Sequence, residues 1–400
     1  MQLNLTSTTP MLLRHMKRKP TNSVCFNGTR LTVARELAGL SMSDLARRVD
    51  ASRQSIQFLE RGARNPSPEL VHALAEELGF LDTFFEKSMD ERPIEEACSF
   101  RRRSTARVWM RRQAVAHAAL VHQLTTELQD QYRVKFPALD IPATEVRSLW
   151  EIDAAAELCR ERWAVGTGPI ANMTRLVERA GVVVCDTIDQ DEIDAVSWHG
   201  PRPIMVQSVS KQSPSRSRFD LAHELGHIVL HRASPSVTQA EEREADRFAS
   251  ALLLPATSFR REFPRAERLH WPALFDLKAR WGVSIAAIVR RAYDLGLITA
   301  AKYRSAYVQI RARGWHRGEP NEPEPEHPEA LPNAVKAVLR RGKTSFHGLA
   351  VELGWPDWRL GRLTGIANES SSVVPFRAPT DGVPIPTPIR TPGLQSAHDD

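Results

Sequence analysis

The stretch RFDLAHELGHIVLH, residues 218–231, carries His223, Glu224 and His227 in an H-E-x-x-H pattern. Four residues apart, the two histidines stand about 40° from one another around a helix. They share one face, where both imidazoles can reach a single zinc ion. Glu224 and His231 fall beside them, and Glu224 is placed to take a proton from a water at such an ion. The other positions (Leu221, Ala222, Leu225, Ile228, Val229, Leu230) are apolar almost all round, which predicts a buried helix. Two histidines and a carboxylate are costly in a buried helix unless satisfied, and a metal ion satisfies them.

A catalytic zinc site takes three protein ligands and keeps one position open. The third ligand is expected from the next helical stretch, about residues 241–254, where Glu241, Glu242 and Glu244 are the candidates. Helical phase separates them. With Glu242 at zero, Asp246 lies at about 40° and Leu253 at about 20°, so Glu242 and Asp246 point inward with the apolar face. Glu242 is the predicted ligand, and Asp246 is predicted to orient a ligand histidine by accepting its second N–H. Glu244, at about 200°, falls with Arg243 and Arg247 and is expected in solvent, while Glu241, at about 260°, is intermediate.

Around these motifs the order of elements is legible. GVVVCDTI (181–188) reads as a strand, and DAVSW and PIMVQS read as a hairpin-like pair around His199, Gly200 and Pro201. Helical patterns continue to about Arg313. The paired motifs RFDLAHELGHIVLH and EREADRFASALLLP, flanked by PIANMTRLVERAGVVV and LKARWGVSIAAIVRRAYDLGLI, resemble the ImmA/IrrE family of zinc metallopeptidases. That resemblance implies a gluzincin-like α+β domain with a small sheet beside the active-site helix. It also implies His223, His227 and Glu242 as zinc ligands, Glu224 as general base, and a helix-turn-helix repressor as the protein that is cut. It assigns no oxyanion stabiliser; His231 and His199 are the candidates.

Near the other end, SMSDLARRVDASRQSIQFLERGARNPSPELVHALAEELG (41–79) resembles the Xre family of helix-turn-helix proteins. Leu45, Ala46, Val49, Ile56 and Leu59 give the spacing of two short packed helices. Gly62 fits the end of the second, and Ser67 with Pro68 reads as an N-cap and first-turn proline. The recognition helix is expected to begin near Ser52. Arg53 suits guanine and Gln54 suits adenine, with Gln57 a weaker reader and Ser52 or Ser55 placed for phosphate. Arg101, Arg102, Arg103, Arg107, Arg111 and Arg112 form a basic run that suits phosphate contact, a solvated helix face or an interdomain contact.

Bulk properties set the outer limits. Over 400 residues the net charge is +6, with 42% hydrophobic and 26% charged content, as in an ordinary globular protein of several domains. Cys25, Cys98, Cys159 and Cys185 are scattered without a C-x-x-C pair, which argues against a disulfide framework. The first residues have no sustained apolar core and no apolar run reaches 18, so a soluble cytoplasmic chain without membrane association is expected. The expected fold class is α+β and mostly helical. It comprises a helix-turn-helix bundle (27–88), a basic helical connector (89–143) and a zinc metallopeptidase domain (144–316). An acidic, proline-rich linker (317–329), a small helical unit (330–366) and a disordered tail (367–400) follow. The helical unit reads either as a second helix-turn-helix or as a protein-docking module.

Two functions fit this organisation. In one, a DNA-binding regulator uses a zinc endopeptidase domain to cleave a repressor-like or toxin-like partner. In the other, an Xre-type transcriptional regulator or antitoxin uses the metallopeptidase-like domain to sense a ligand or grip a partner without cutting. The DNA partner is a double-stranded operator, and a palindromic operator requires a homodimer.

Overall fold

Every helix of the N-terminal bundle begins at a polar residue whose side chain accepts a backbone N–H. In the computed structural model, Asn27, Ser41, Ser52 and Ser67 cap α1 (Gly28–Leu37), α2 (Met42–Arg48), α3 (Arg53–Glu60) and α4 (Pro68–Leu78) in this way. The residues described are 26–89, 92–95, 98–102, 108–142, 144, 146, 148–187, 193–208, 213–231, 238–265 and 268–366. Helices α2 and α3 pack against one another with Leu45, Ala46, Ile56 and Leu59 buried between them, the expected helix-turn-helix. Pro68 opens α4, Gly79 ends it in the left-handed conformation, and a short 3-10 turn (Asp82–Glu86) follows.

The connector departs from a wholly helical reading. Cys98–Arg102 forms a strand, β1, before the long helix α5 (Val108–Asp130). This segment has no alternation of its own, and its conformation comes from pairing with another strand. Of the arginine run, Arg111 pairs with Glu95 at 2.9 Å, Arg112 is exposed, and Arg103 and Arg107 lie outside the described residues.

Next come α6 (Leu149–Arg162), α7 (Met173–Arg179), β2 (Val183–Thr187), β3 (Ile193–Trp198) and β4 (Ile204–Ser208). The sheet order is β1-β3-β4-β2, with β1/β3 and β3/β4 antiparallel and β2/β4 parallel. Its period-2 alternation divides the molecule. Val183, Cys185, Val196, Trp198, Ile204 and Val206 face one core, shared with the helix-turn-helix bundle and α5. Val184 and Met205 face a second core on the opposite side.

That second core is built by α6, α7, α8 (Pro214–Leu230), α9 (Gln239–Leu253), α10 (Ala256–Glu262), α11 (Trp271–Trp281), α12 (Ile285–Asp294) and α13 (Ala300–Ala312). The acidic segment after α13 is extended, as expected, but it is docked rather than a free tether. Glu319 and Glu322 accept from the buried Lys278 at 2.9 and 2.8 Å, and Glu319 also caps α12 through the Ile285 N–H. Glu322 accepts from the Ser215 N–H, placing negative charge at the N-terminus of α8. Glu326 pairs with Arg218.

The chain then returns to the first core as α14 (Ala330–Arg340), α15 (Phe346–Leu353) and α16 (Asp357–Thr364). Helices α15 and α16 dock within the chain. Arg359 of α16 donates to the Gly79 and Leu78 carbonyls and lies over the Phe80 ring, while the Leu81 N–H donates to Gly354. Residues 1–25 and 367–400, including the expected tail, lie outside the described residues. Among the described residues no helix is long and apolar enough to cross a membrane.

Candidate metal centre

Helix α8 is buried along most of its length, and His223, Glu224 and His227 are all fully buried. Gly226, inside the motif, faces α9. A Cβ there would lie 3.1 Å from the Phe248 ring and 3.2 Å from the Ala245 Cα, so glycine is what lets the two helices approach. That approach brings the N-terminal turns of α9 over the histidines.

The three glutamates of that turn have separate tasks. Glu241 completes a capping box with Thr238, accepting its N–H at 2.6 Å, which uses its carboxylate at the helix start. Glu242 reaches both histidines, with Oε2 3.6 Å from His223 Nε2 and Oε1 3.6 Å from His227 Nε2. The two Nε2 atoms lie 3.0 Å apart. His223, His227 and Glu242 form the one cluster among the described residues with ligand-atom spacing suited to a metal. Ligands about 2.0–2.1 Å from a tetrahedral ion are separated by about 3.3–3.4 Å, and the observed 3.0 and 3.6 Å bracket that value. The donor set, two imidazole nitrogens and a carboxylate oxygen, also fits a borderline-soft divalent ion. Burial pushes the Glu242 carboxyl up, but hydrogen bonds and charge from His223 and His227 outweigh it and pull it well below the usual carboxylate range.

Behind each histidine stands a carboxylate. His223 Nδ1 lies 2.9 Å from Asp246 Oδ1, where sequence phase placed Asp246. His227 Nδ1 lies 3.1 Å from His231 Nδ1, and His231 Nε2 lies 2.8 Å from Glu244 Oε2. With Nε2 of each ligand histidine turned to a metal, its Nδ1–H donates outward. His231 then accepts at Nδ1 and donates from Nε2 to Glu244, so a single tautomer runs through the chain. Burial lowers the His231 pKa, while its bond to Glu244 works against that. Glu244 is therefore not the solvated residue that its helical phase predicted. Phase compares a residue only with its own helix, and the partner sits on the C-terminal end of α8. Arg247, on the same side of α9 by phase, pairs with Asp153 at 2.6 Å. Both nitrogens of His231 are thus engaged, with His227 on one side and Glu244 on the other.

Glu224 Oε2 accepts from the Ser197 hydroxyl of β3 at 2.5 Å, and Ser197 Oγ lies 3.3 Å from His199 Nε2. Sequence reasoning missed Ser197. Its signal was the alternation of DAVSW, which puts Ala195 and Ser197 on the face opposite Val196 and Trp198. His199 is half-buried beside Ser197.

In the helix-turn-helix, Arg53 and Gln54 are exposed on the first turn of α3, and Gln57 is half-buried. The Ser52 hydroxyl accepts from the Ser55 N–H at 3.0 Å, so this residue starts the recognition helix as expected. Phe58, 40% exposed, and the exposed Arg61 and Arg64 extend the same surface beyond the residues picked out from sequence.

Two segments of the chain match known families. Residues 33–83 match the model for a helix-turn-helix, and residues 177–293, from α7 through α12, match that for the IrrE N-terminal-like domain of the M78 peptidases. No curated protein matches the chain. The polypeptide therefore joins a helix-turn-helix domain of Xre type to an ImmA/IrrE-like domain of the M78 peptidase family.

Proposed function

We propose that this protein is a DNA-associated zinc endopeptidase that cleaves a helix-turn-helix repressor-like partner to control transcription. The observation that carries this reading is the convergence of His223, His227 and Glu242 beside a buried glutamate held by a serine. His223, His227 and Glu242 are the residues that hold zinc. A bound zinc ion polarises a carbonyl oxygen and lowers the pKa of water toward ~7. Glu224, steadied by Ser197, takes the proton from the attacking water and returns it to the leaving amine. Asp246, and Glu244 through His231, fix the tautomers of the ligand histidines.

The helix-turn-helix supplies location. Arg53 and Gln54 carry side chains suited to guanine and adenine edges at the exposed start of α3, with Gln57 and the Ser52 hydroxyl beside them. Double-stranded operator DNA is the partner this surface fits.

The test combines composition with cleavage. Elemental analysis is expected to find about one zinc per chain in the wild type and in Glu224→Gln, and little in Glu242→Ala. Cleavage of the partner repressor should fall by about 10²–10⁴ in Glu224→Gln. A Glu224→Gln protein that still regulates its target genes fully would mark a regulator that does not cut.

A further inference from the structure

Strand β1 lies outside the segment that matches the peptidase family, yet it completes that domain's sheet. It comes from the connector and runs antiparallel to β3, with Cys98 opposite Trp198, Ser99 opposite Ser197, Phe100 opposite Val196 and Arg101 opposite Ala195. Without it, β3 is the edge of the sheet. That edge lies beside the catalytic apparatus, since Ser197 of β3 donates to Glu224 and α8 packs against both β3 and β1.

A peptide to be cut must lie extended past Glu224 and the three ligands. The strand that bonds Glu224, through Ser197, is β3, and its outer N–H and C=O groups are a ready template for a second chain. Here they are taken by the protein itself. We infer that β1 occupies in cis the strand position at β3 that an extended substrate segment takes, so a polypeptide substrate gains the cleft only by displacing β1. This rests on the peptidase reading and adds to it a substrate class, an extended segment able to pair with β3, and a built-in competitor.

Two features of β1 suit exchange. It spans only Cys98–Arg102, and its register with β3 shifts between Arg101 and Arg102, so few ladder bonds hold it. It is also held close to the DNA-binding domain. Glu95 pairs with Arg111 across the base of the loop that contains β1, and Gln113 Nε2 donates to the Leu37 carbonyl of α1 at 2.7 Å. A strand tethered so closely competes at a local concentration of the order of millimolar. Movement of the helix-turn-helix against α5 acts directly on that tether.

The experiment uses full-length Ser99→Pro and Phe100→Pro. In an antiparallel pair adjacent residues alternate between hydrogen-bonded and non-hydrogen-bonded positions, so one of the two prolines removes ladder bonds. The probe is a fluorescent peptide with the sequence of residues 96–104, Cys98 replaced by serine, read by anisotropy against a scrambled control. Hydrogen exchange reports folding: β3 amides should lose protection in the effective variant while β2 and β4 keep theirs. The expected result is binding at least tenfold tighter to that variant than to the wild type, and none for the scrambled peptide. Equal binding to both proteins, or binding indifferent to sequence, overturns the inference. So does unchanged β3 protection in both folded variants. If a variant also loses β2 and β4 protection, Arg101→Cys with Ala195→Cys replaces it: the oxidised, strand-locked form should bind at least tenfold more weakly than the reduced form, and equal binding overturns the inference. Zinc content of the same preparations reports the peptidase reading separately. Zinc present without exchange sinks only the competitor strand, and exchange without zinc sinks only the peptidase.

Discussion

Glu242 and Glu244 stand two residues apart on α9 and serve the same centre from different sides. Glu242 meets the Nε2 atoms directly, and Glu244 meets His227 only through His231. Removing a group behind a ligand histidine typically weakens metal binding by about 10–100-fold without removing a ligand. Glu244→Ala and Asp246→Ala are therefore each expected to lower zinc affinity by about that factor in a chelator competition. The metal-free melting temperature should change little, because both carboxylates are partly exposed. An unchanged affinity in both would show that the histidines need no such support. On the DNA side, Arg53→Ala should cost about 1–3 kcal/mol at one base position of the operator, while Arg61→Ala, outside the first turn of α3, should weaken binding across sequences and flatten its salt dependence. Much of the centre was legible in the sequence, since H-E-x-x-H and the inward phase of Glu242 need only one helix each. Ser197 and Glu244 were not, because each meets its partner across elements whose packing no single periodicity encodes.

Among the elements, the spacing of α8 and α9 decides whether the centre exists. Gly226 has no side chain, and a Cβ there already falls at 3.1–3.2 Å from Phe248 and Ala245. Gly226→Val adds two methyl groups beyond that point. The helices must separate, at a cost of about 1–3 kcal/mol for overpacking, and Glu242 is carried away from the histidines. Loss of zinc with His223, His227 and Glu242 all intact is the expected result, read by elemental analysis on protein shown to be folded by circular dichroism. The helices themselves could be read from caps and apolar phase. The strand β1 could not, because CSFRR has no alternation and is a strand only by virtue of β3. The acidic segment was read correctly as extended but not as docked. Its partners, Lys278 and Ser215, lie 41 or more residues away in the chain.

At the scale of the whole molecule, one four-stranded sheet separates two cores, and the last helices belong with the first. The unit α14–α16 shares its core with the DNA-binding bundle, so the two should melt together. Gly354 sits at this seam with φ +74°, and a Cβ would lie 2.5 Å from the Phe84 Cα. His117 of α5 is buried in the same layer. Burial first, and then the charges of Arg359 and Arg362, push its pKa down to about 3, against 6.5 for a free imidazole; a bond with the Asp186 backbone only partly offsets this. The sign follows from proton counting. Between about pH 6.5 and 3 the unfolded chain binds a proton at this position and the folded chain does not. Stability is thus complete above 6.5 and falls as the pH drops through that window, by about 2 kcal/mol at pH 5, since each unit is worth 1.36 kcal/mol. Denaturant titrations at pH 7 and pH 5 should show that loss for the wild type. His117→Leu should reduce the difference by about the same amount, and an equal loss in both proteins would place the acid sensitivity elsewhere. Because His117 faces the first core, zinc affinity at pH 7 should be the same in His117→Leu as in the wild type.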